Sequence, residues 1–430
     1  MSHRHRLWSL LGSAALAAIM CVSTPLAASA ADDSSAPGNN AQWWADAYGV
    51  GAAHAAGLTG AGVKVAVIES QINPDLPVFE GTNLSISDKP LCKSDGDAVT
   101  TEANSPAIHG TTITAMIIGN GTGAGLVSGI APDAELTFYG LGPQAGCTKN
   151  DTGGLSDFGF NVKNAVDDGA RVIVSAVSMV ASEADAPVIA YAVARGVAIV
   201  AAYPNPNSGV NVAKDYTGMN GVVGVSGVDS QGNLQVQDDG TPFVIPSTTV
   251  VASGCCLPTV GWAGDWSASS SRQGSSYAAP TVAGMLALAA QKYPEATGNQ
   301  LVHALLSSTN GAKHEPVRAD DGFGYGAAWL PTLLETDPSS FPDETPLMQG
   351  PFGAPTADQI ASARANGFEA PETQRQSTFD REAAGANTFD LGSLVPWIIA
   401  AVVGLVIVAA AITVIVVIAQ RRKVRGRNAS

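Results

Sequence analysis

Charge is scarce in this 430-residue chain: 14% of its residues are Asp, Glu, Lys or Arg, against about a quarter in an ordinary soluble domain. Positive charge is scarcest, with 22 Lys and Arg against 37 Asp and Glu and a formal net charge of −15. Cysteine is sparse too, at five residues. No CxxC or Cys/His cluster has zinc-ligand spacing, which argues against a structural zinc site. No segment repeats at the spacing of solenoids or propellers. What fills the chain instead is small and apolar. Hydrophobic residues reach 46%, enough for a sizeable core, so disorder throughout is excluded.

The apolar surplus is concentrated at the two ends. Arg4 and Arg6 precede a mostly apolar stretch at 7–20, and Ala28-Ser29-Ala30 offers a small-residue cleavage site. That order reads as a secretory signal peptide over residues 1–30, with a retained anchor as the alternative. Cys21 would leave with the signal. Residues 394–419 carry no charge, and this run is longer than the roughly 20 residues a membrane helix needs. A core helix of that length would show a polar face. Arg421, Arg422, Lys423, Arg425 and Arg427 follow, and positive charge stays on the cytoplasmic side. The expectation is a single-pass type I protein of the cell membrane: an extracytoplasmic domain, a transmembrane helix at 394–419 and a basic cytoplasmic tail at 420–430.

With signal and tail removed, 15 Lys and Arg face 37 Asp and Glu, a net charge of −22. Such an acidic exterior argues against nucleic acid as a partner. Four cysteines remain: Cys92, Cys147, Cys255 and Cys256. An even number in an exported protein favours disulfides, and three pairings are open. One is Cys92–Cys147 with a vicinal Cys255–Cys256 bridge; the others are two long-range bridges to the adjacent pair.

After a short extension at 31–41, residues 42–336 alternate between strands and helices. VKVAVIES (63–70), ELTFYGLG, RVIVSAVS and VAIVAAY read as strands. HGTTITAMIIGNG, DFGFNVKNAVDDGA and ADAPVIAYAVARG read as helices. This predicts an α/β fold of three layers, a mostly parallel central sheet with helices on both faces. Active residues in such folds gather at the carboxyl ends of strands. Residues 337–393, rich in Pro, Ala, Asp, Glu, Ser and Thr, read as a mostly disordered linker, with a short helix at 356–366.

Three blocks carry candidate chemistry. Glu69 ends a strand in TGAGVKVAVIESQINPDL, His109 opens a helix in HGTTITAMIIGNG, and Ser276 opens a long apolar helix in GSSYAAPTVAGMLALAA. A hydroxyl is a weak nucleophile at neutral pH. It needs a base to take its proton, and the base needs a carboxylate to orient it. Acid, His, Ser is one known chain order for that set on an α/β sheet. A serine at a helix start also has backbone N–H groups aimed near the reacting carbonyl.

These blocks, in this order, resemble those of the subtilisin-like serine proteases, from about Leu58 to Leu334. The family's G-T-S-M-A-A-P-x-V-A-G appears as Gly274-Ser275-Ser276-Tyr277-Ala278-Ala279-Pro280-Thr281-Val282-Ala283-Gly284, and its H-G-T as His109-Gly110-Thr111. The resemblance implies a serine endopeptidase acting on peptides or proteins without a metal or organic cofactor. It assigns Ser276 as nucleophile, His109 as base and then acid, Glu69 as the orienting carboxylate, and Asn205 to the oxyanion hole.

Several positions depart from the family pattern. Its D-S-G reads Glu69-Ser70-Gln71 here, and Asp75 is a second nearby carboxylate. The glycine before the oxyanion asparagine is Pro204, which restricts the residues around it; Asn207 is a second candidate. Ala176-Val177-Ser178 replaces an S-x-G segment, so a side chain crowds a substrate backbone where the family has glycine. A protease-like scaffold of little activity is therefore the alternative function. The whole layout resembles the mycosins, membrane-bound subtilases associated with type VII secretion, with no room between residues 30 and 42 for a large inhibitory pro-domain. That resemblance implies type VII-like secretion components as partners.

Overall fold

The Val- and Ile-rich runs pair side by side, all in one direction. The computed structural model describes residues 42–370, apart from 94–97, 144–148 and 207. Its main sheet contains β1 (Lys64–Glu69), β2 (Leu84–Ile86), β3 (Glu135–Gly140), β4 (Val172–Ser175), β5 (Ala198–Ala202), β6 (Val222–Val228) and β7 (Val250–Ser253). The seven lie in the order β2-β3-β1-β4-β5-β6-β7, every neighbouring pair parallel. A separate antiparallel pair joins β8 (Leu257–Pro258) to β9 (Ser271–Arg272). The helices are α1 (Trp43–Ala47), α2 (Val50–Ala55), α3 (Ser105–Ile118), α4 (Asp157–Asp167), α5 (Ala186–Ala194), α6 (Ser275–Lys292), α7 (Gly298–Leu306), α8 (Leu330–Glu335) and α9 (Ala357–Asn366).

Alternate strand residues face opposite sides of the sheet, which explains apolar runs without a polar face. Val65, Val67, Val172, Val174 and Val200 join the core built with α3 and α6. Ala66, Ile68, Ile173 and Ile199 join the core under α4 and α5. Helix α6 is buried from Ser275 to Ala290, the pattern of a central core helix.

Helix α3 begins earlier than its sequence block suggests. Asn104 caps it by accepting the Ala107 N–H at 2.9 Å, and Pro106 lies in the first turn. This puts His109 in the second turn rather than at the helix start.

The linker boundary at Thr336 also needs correction. Residues 337–370 pack on the domain, with α9 against α5. The Phe368 ring centroid lies 5.9 Å from that of Tyr191, and the Lys163 Nζ lies over the Phe368 ring, 5.2 Å from its centroid. Backbone bonds fasten the segment to the 218–221 turn: Gly221 N–H to Leu347 O at 2.7 Å, Asn220 N–H to Ala354 O at 2.8 Å and Phe352 N–H to Gly218 O at 2.9 Å. Isolated apolar anchors and backbone bonds leave no periodicity in the sequence, so the composition resembled a linker. The helix expected at 356–366 is present, with a Thr356/Gln359 capping box.

Cys255 and Cys256 carry free thiols. This corrects each of the three pairings wherever it engages them. Cys256 sits at φ 62° in a tight turn, with the Cys255 Sγ directed at Gln273 Oε1, 3.7 Å away. The segments 1–30, 31–41, 371–393, 394–419 and 420–430 lie outside the described residues, as do Cys21, Cys147 and Asn207. Among the described residues, no helix is long and apolar enough to cross a membrane.

Candidate active site

Two neighbouring strand ends hold Glu69. It is the last residue of β1 and fully buried. Its Oε1 accepts the N–H of Ala176, just past β4, at 3.2 Å. Its Oε2 meets His109 Nδ1 at 3.1 Å and the Ser70 N–H at 3.3 Å. Asp75 is exposed, and its N–H donates to Asn73 Oδ1 at 3.2 Å. The structure thus brings Glu69, not Asp75, to His109.

The His-Gly-Thr block has a steric reason. A Cβ at position 110 would lie 2.3 Å from the Gln71 carbonyl oxygen, so only glycine lets α3 approach the end of β1. Thr111 Oγ1 accepts the Asn73 N–H at 3.0 Å. Gln71 is buried, and its Oε1 accepts Asn104 Nδ2 at 3.3 Å, tying the cap of α3 to the strand. Neither Gln71 nor Asn104 was recognised from the sequence as a support; the Asn-Ser-Pro start signal was the available clue.

His109 is 29% exposed. Burial disfavours its charged form, but the charge of Glu69 and the hydrogen bond to it prevail and hold its pKa above the usual histidine value. Its ring makes an edge contact with Tyr277, with centroids 6.4 Å apart.

Ser276 is the second residue of α6, so its N–H has no partner within the helix. The turn before it is held from three sides. Gly274 N–H donates to Gly254 O at 2.7 Å. Ser275 Oγ accepts from Gly227 N–H at 3.3 Å and Gln235 Nε2 at 3.0 Å. Ser275 N–H donates to Asn205 Oδ1 at 2.8 Å. Asn205 lies three residues past β5, and a Cβ at Gly274 would sit 3.0 Å from its Nδ2.

Pro204 therefore leaves Asn205 against the start of α6. Tyr203 anchors the same turn by donating its hydroxyl to Ser247 O at 2.6 Å. Among the described residues, Asn205 Nδ2 and the Ser276 N–H have no hydrogen-bond acceptor, while Asn205 Oδ1 is taken by Ser275. None of the described hydrogen bonds joins Ser276 Oγ to His109. His54, His303 and His314 make other contacts, with Ile130 O, Glu344 O and Thr309 Oγ1.

Glu69 and His109 thus meet at the carboxyl end of β1, and the His109 ring lies beside Tyr277, the residue after Ser276. The subtilase family model matches residues 60–326. The chain belongs to the subtilase family. Subtilisin Savinase of Lederbergia lenta is 29% identical over 269 residues, covering 60% of this chain and 90% of that protein. M-protease of Shouchella clausii is 28% identical over 264 residues, 60% of this chain; the match spans 62% of that relative's length.

Among solved structures, the MycP3 protease from the type VII (ESX-3) secretion system superposes with a TM-score of 0.53 at 23% identity, covering 71% of this chain and 91% of that one. MycP1 from Mycobacterium smegmatis gives 0.54 at 21%, covering 71% and 87%. At these identities the likeness shows a shared fold.

Proposed function

We propose that this subtilase is a membrane-anchored, extracytoplasmic endopeptidase using Ser276, His109 and Glu69, with Asn205 in the oxyanion hole. The observation that carries the reading is the contact of buried Glu69 with His109 at 3.1 Å. Glu69 holds the Nδ1–H tautomer, which leaves Nε2 unprotonated to take the Ser276 proton. Ser276 Oγ then attacks the peptide carbonyl, and Asn205 Nδ2 with the Ser276 N–H receives the oxyanion. His109 returns its proton to the leaving amine, and water repeats the sequence to release the acyl group. The anchor is the uncharged run at 394–419. The layout, together with the fold shared with the MycP proteases, supports a type VII-like secretion assembly as partner.

A second reading, a scaffold of little activity, draws on the missing Ser276–His109 hydrogen bond. Bonds of this kind are often long without substrate and tighten when it binds, so the catalytic reading is favoured. Fluorophosphonate labelling of the full-length protein in detergent separates the two. Labelling that disappears in Ser276→Ala supports the enzyme; folded wild type that takes no label sinks it. Co-purification from membranes without any secretion component removes the proposed partner.

A further inference from the structure

A cation on the strand that leads into α6 stands without a carboxylate of its own. Arg272 ends β9, four residues before Ser276. Its guanidinium lies over the Trp262 indole, 3.5 Å from Cζ to the ring centroid, and Trp262 is 38% exposed. Among the described residues no hydrogen bond or ion pair engages the Arg272 N–H groups. By contrast, Arg171 donates to the Pro294 and Ala296 carbonyls, and Arg318 and Arg364 face Asp320 and Asp343. A guanidinium stacked on an aromatic face keeps its edge donors free for a carboxylate and is already oriented for it.

The segment between β8 and β9 fixes that position. Trp266 Nε1 donates to Thr101 O at 2.7 Å, and Val260 N–H to Thr112 Oγ1 at 3.0 Å. Trp262 and Asp265 exchange both backbone bonds at 2.9 Å. A Cβ at Gly261 would meet the Trp266 ring at 2.7 Å and Ile108 at 3.3 Å. The segment therefore rests on the turn of α3 that carries His109. The histidine protonates the leaving amine, so residues following the scissile bond depart on this side. Tyr277, next to Ser276, has its hydroxyl pushed up to about 12 by burial, with Arg272 pulling it down. Arg272 therefore acts electrostatically on a side chain adjoining the nucleophile.

We infer that Arg272, held on Trp262, is a specificity-determining residue that selects an acidic side chain on the leaving-group side of the scissile bond. The inference rests on the protease reading for its place in the reaction, although the recognition itself needs no turnover. The rest of the exported surface is acidic, and its repulsion of an acidic peptide is screened beyond about 8 Å at physiological salt. The local cation then decides.

The test uses the full-length protein in detergent carrying Ser276→Ala, so that peptides bind without cleavage. Fluorescein-labelled decapeptides carry Glu, Gln or Lys at the three residues after the central bond, and anisotropy gives each Kd. The Glu peptide is expected to bind about tenfold more tightly than the Gln peptide, the scale of one charge-assisted hydrogen bond. That ratio falls to about one with Arg272→Gln and turns in favour of Lys with Arg272→Glu. Without any change at Arg272, high salt erases the same ratio.

Equal affinities for Glu and Gln peptides, no binding of either, or a Glu preference that survives Arg272→Glu overturns the inference. Wild type that takes no fluorophosphonate refutes the protease reading instead, and the binding ratio still decides for or against Arg272.

Discussion

Replacing Glu69 by glutamine tests the proposed triad at its most altered position. The two side chains have nearly the same shape, so the fold is kept and the hydrogen-bond arithmetic changes. The Ala176 N–H at 3.2 Å needs an acceptor. Turning the new NH2 group toward it sets donor against donor, at a cost of about 1–3 kcal/mol for the buried group. The opposite orientation sets the NH2 against the Ser70 N–H, but that contact is longer, at 3.3 Å, and only part-buried, so the amide oxygen takes the buried Ala176 N–H and the NH2 faces His109 Nδ1. That nitrogen must then accept, which moves the ring proton to Nε2, where it cannot receive the Ser276 proton. Loss of the right tautomer costs about 10^4 in kcat, or about 5.4 kcal/mol of barrier.

The assay is kcat and kcat/KM on a quenched peptide across pH. Because Glu69 raises the His109 pKa, the acid limb of the wild-type profile lies above the ordinary histidine value of about 6.5. Glu69→Gln moves whatever activity remains to a lower limb. The same shift gives a sign for stability. A histidine raised on folding contributes fully below its unfolded pKa, and this contribution is lost as pH rises through the folded pKa. A Glu69→Gln enzyme within tenfold of wild type, with an unmoved acid limb, would falsify the role of Glu69.

Three further perturbations probe the surroundings. Asn205→Ala removes one oxyanion donor and should lower kcat by about 10^2–10^3 with little change in KM; an unchanged kcat removes Asn205 from the mechanism. Gly110→Ala drives a Cβ to 2.3 Å from the Gln71 oxygen, so denaturant unfolding should show about 1–3 kcal/mol of destabilisation, and an unchanged midpoint refutes the close approach. Phe368→Ala strips the half-buried ring that ties the 337–370 segment to Tyr191. It should cost about 1–2 kcal/mol without altering peptide kinetics, and a protein of full stability would return this segment to the linker.

The parts legible in the sequence each had a local cause. Alternation of short apolar runs with helical spacing gave the layered α/β fold, because a parallel sheet must be covered on both faces. Gly110 and Gly274 stand where a side chain would strike Gln71 O or Asn205, so the glycines of both blocks mark backbone approaches. The parts missed were held by partners distant in sequence. Gln235 reaches Ser275 across 40 positions, and Trp266 reaches Thr101 across 165. The cap on α3, Asn104, lay five residues upstream of His109, where the motif begins to be recognisable. Residues 337–370 hid five spaced apolar anchors, Phe341, Leu347, Phe352, Ile360 and Phe368, in a composition otherwise typical of unfolded chain.

The departures from the family pattern at the end of β1 fit one another, and this fit makes a prediction whose sign separates the two functional readings. The Glu69 Cβ lies 3.3 Å from where a Cβ at Gly110 would stand, so the longer acid passes beside the one residue that leaves it room. From there its two oxygens reach Ala176 and His109 together. Gln71 meanwhile ties the cap of the histidine's helix to the strand. In a coherent site of this kind, Glu69→Asp withdraws the carboxylate by one methylene from a histidine positioned for the longer side chain. A misplacement of about 1 Å costs on the order of 10^2-fold in rate, so fluorophosphonate labelling should slow by about that factor. In a scaffold disabled by its glutamate, the same change restores the family's residue and labelling should appear or quicken. Faster labelling of Glu69→Asp than of wild type would therefore overturn the view that Glu69 and Gln71 form a working set.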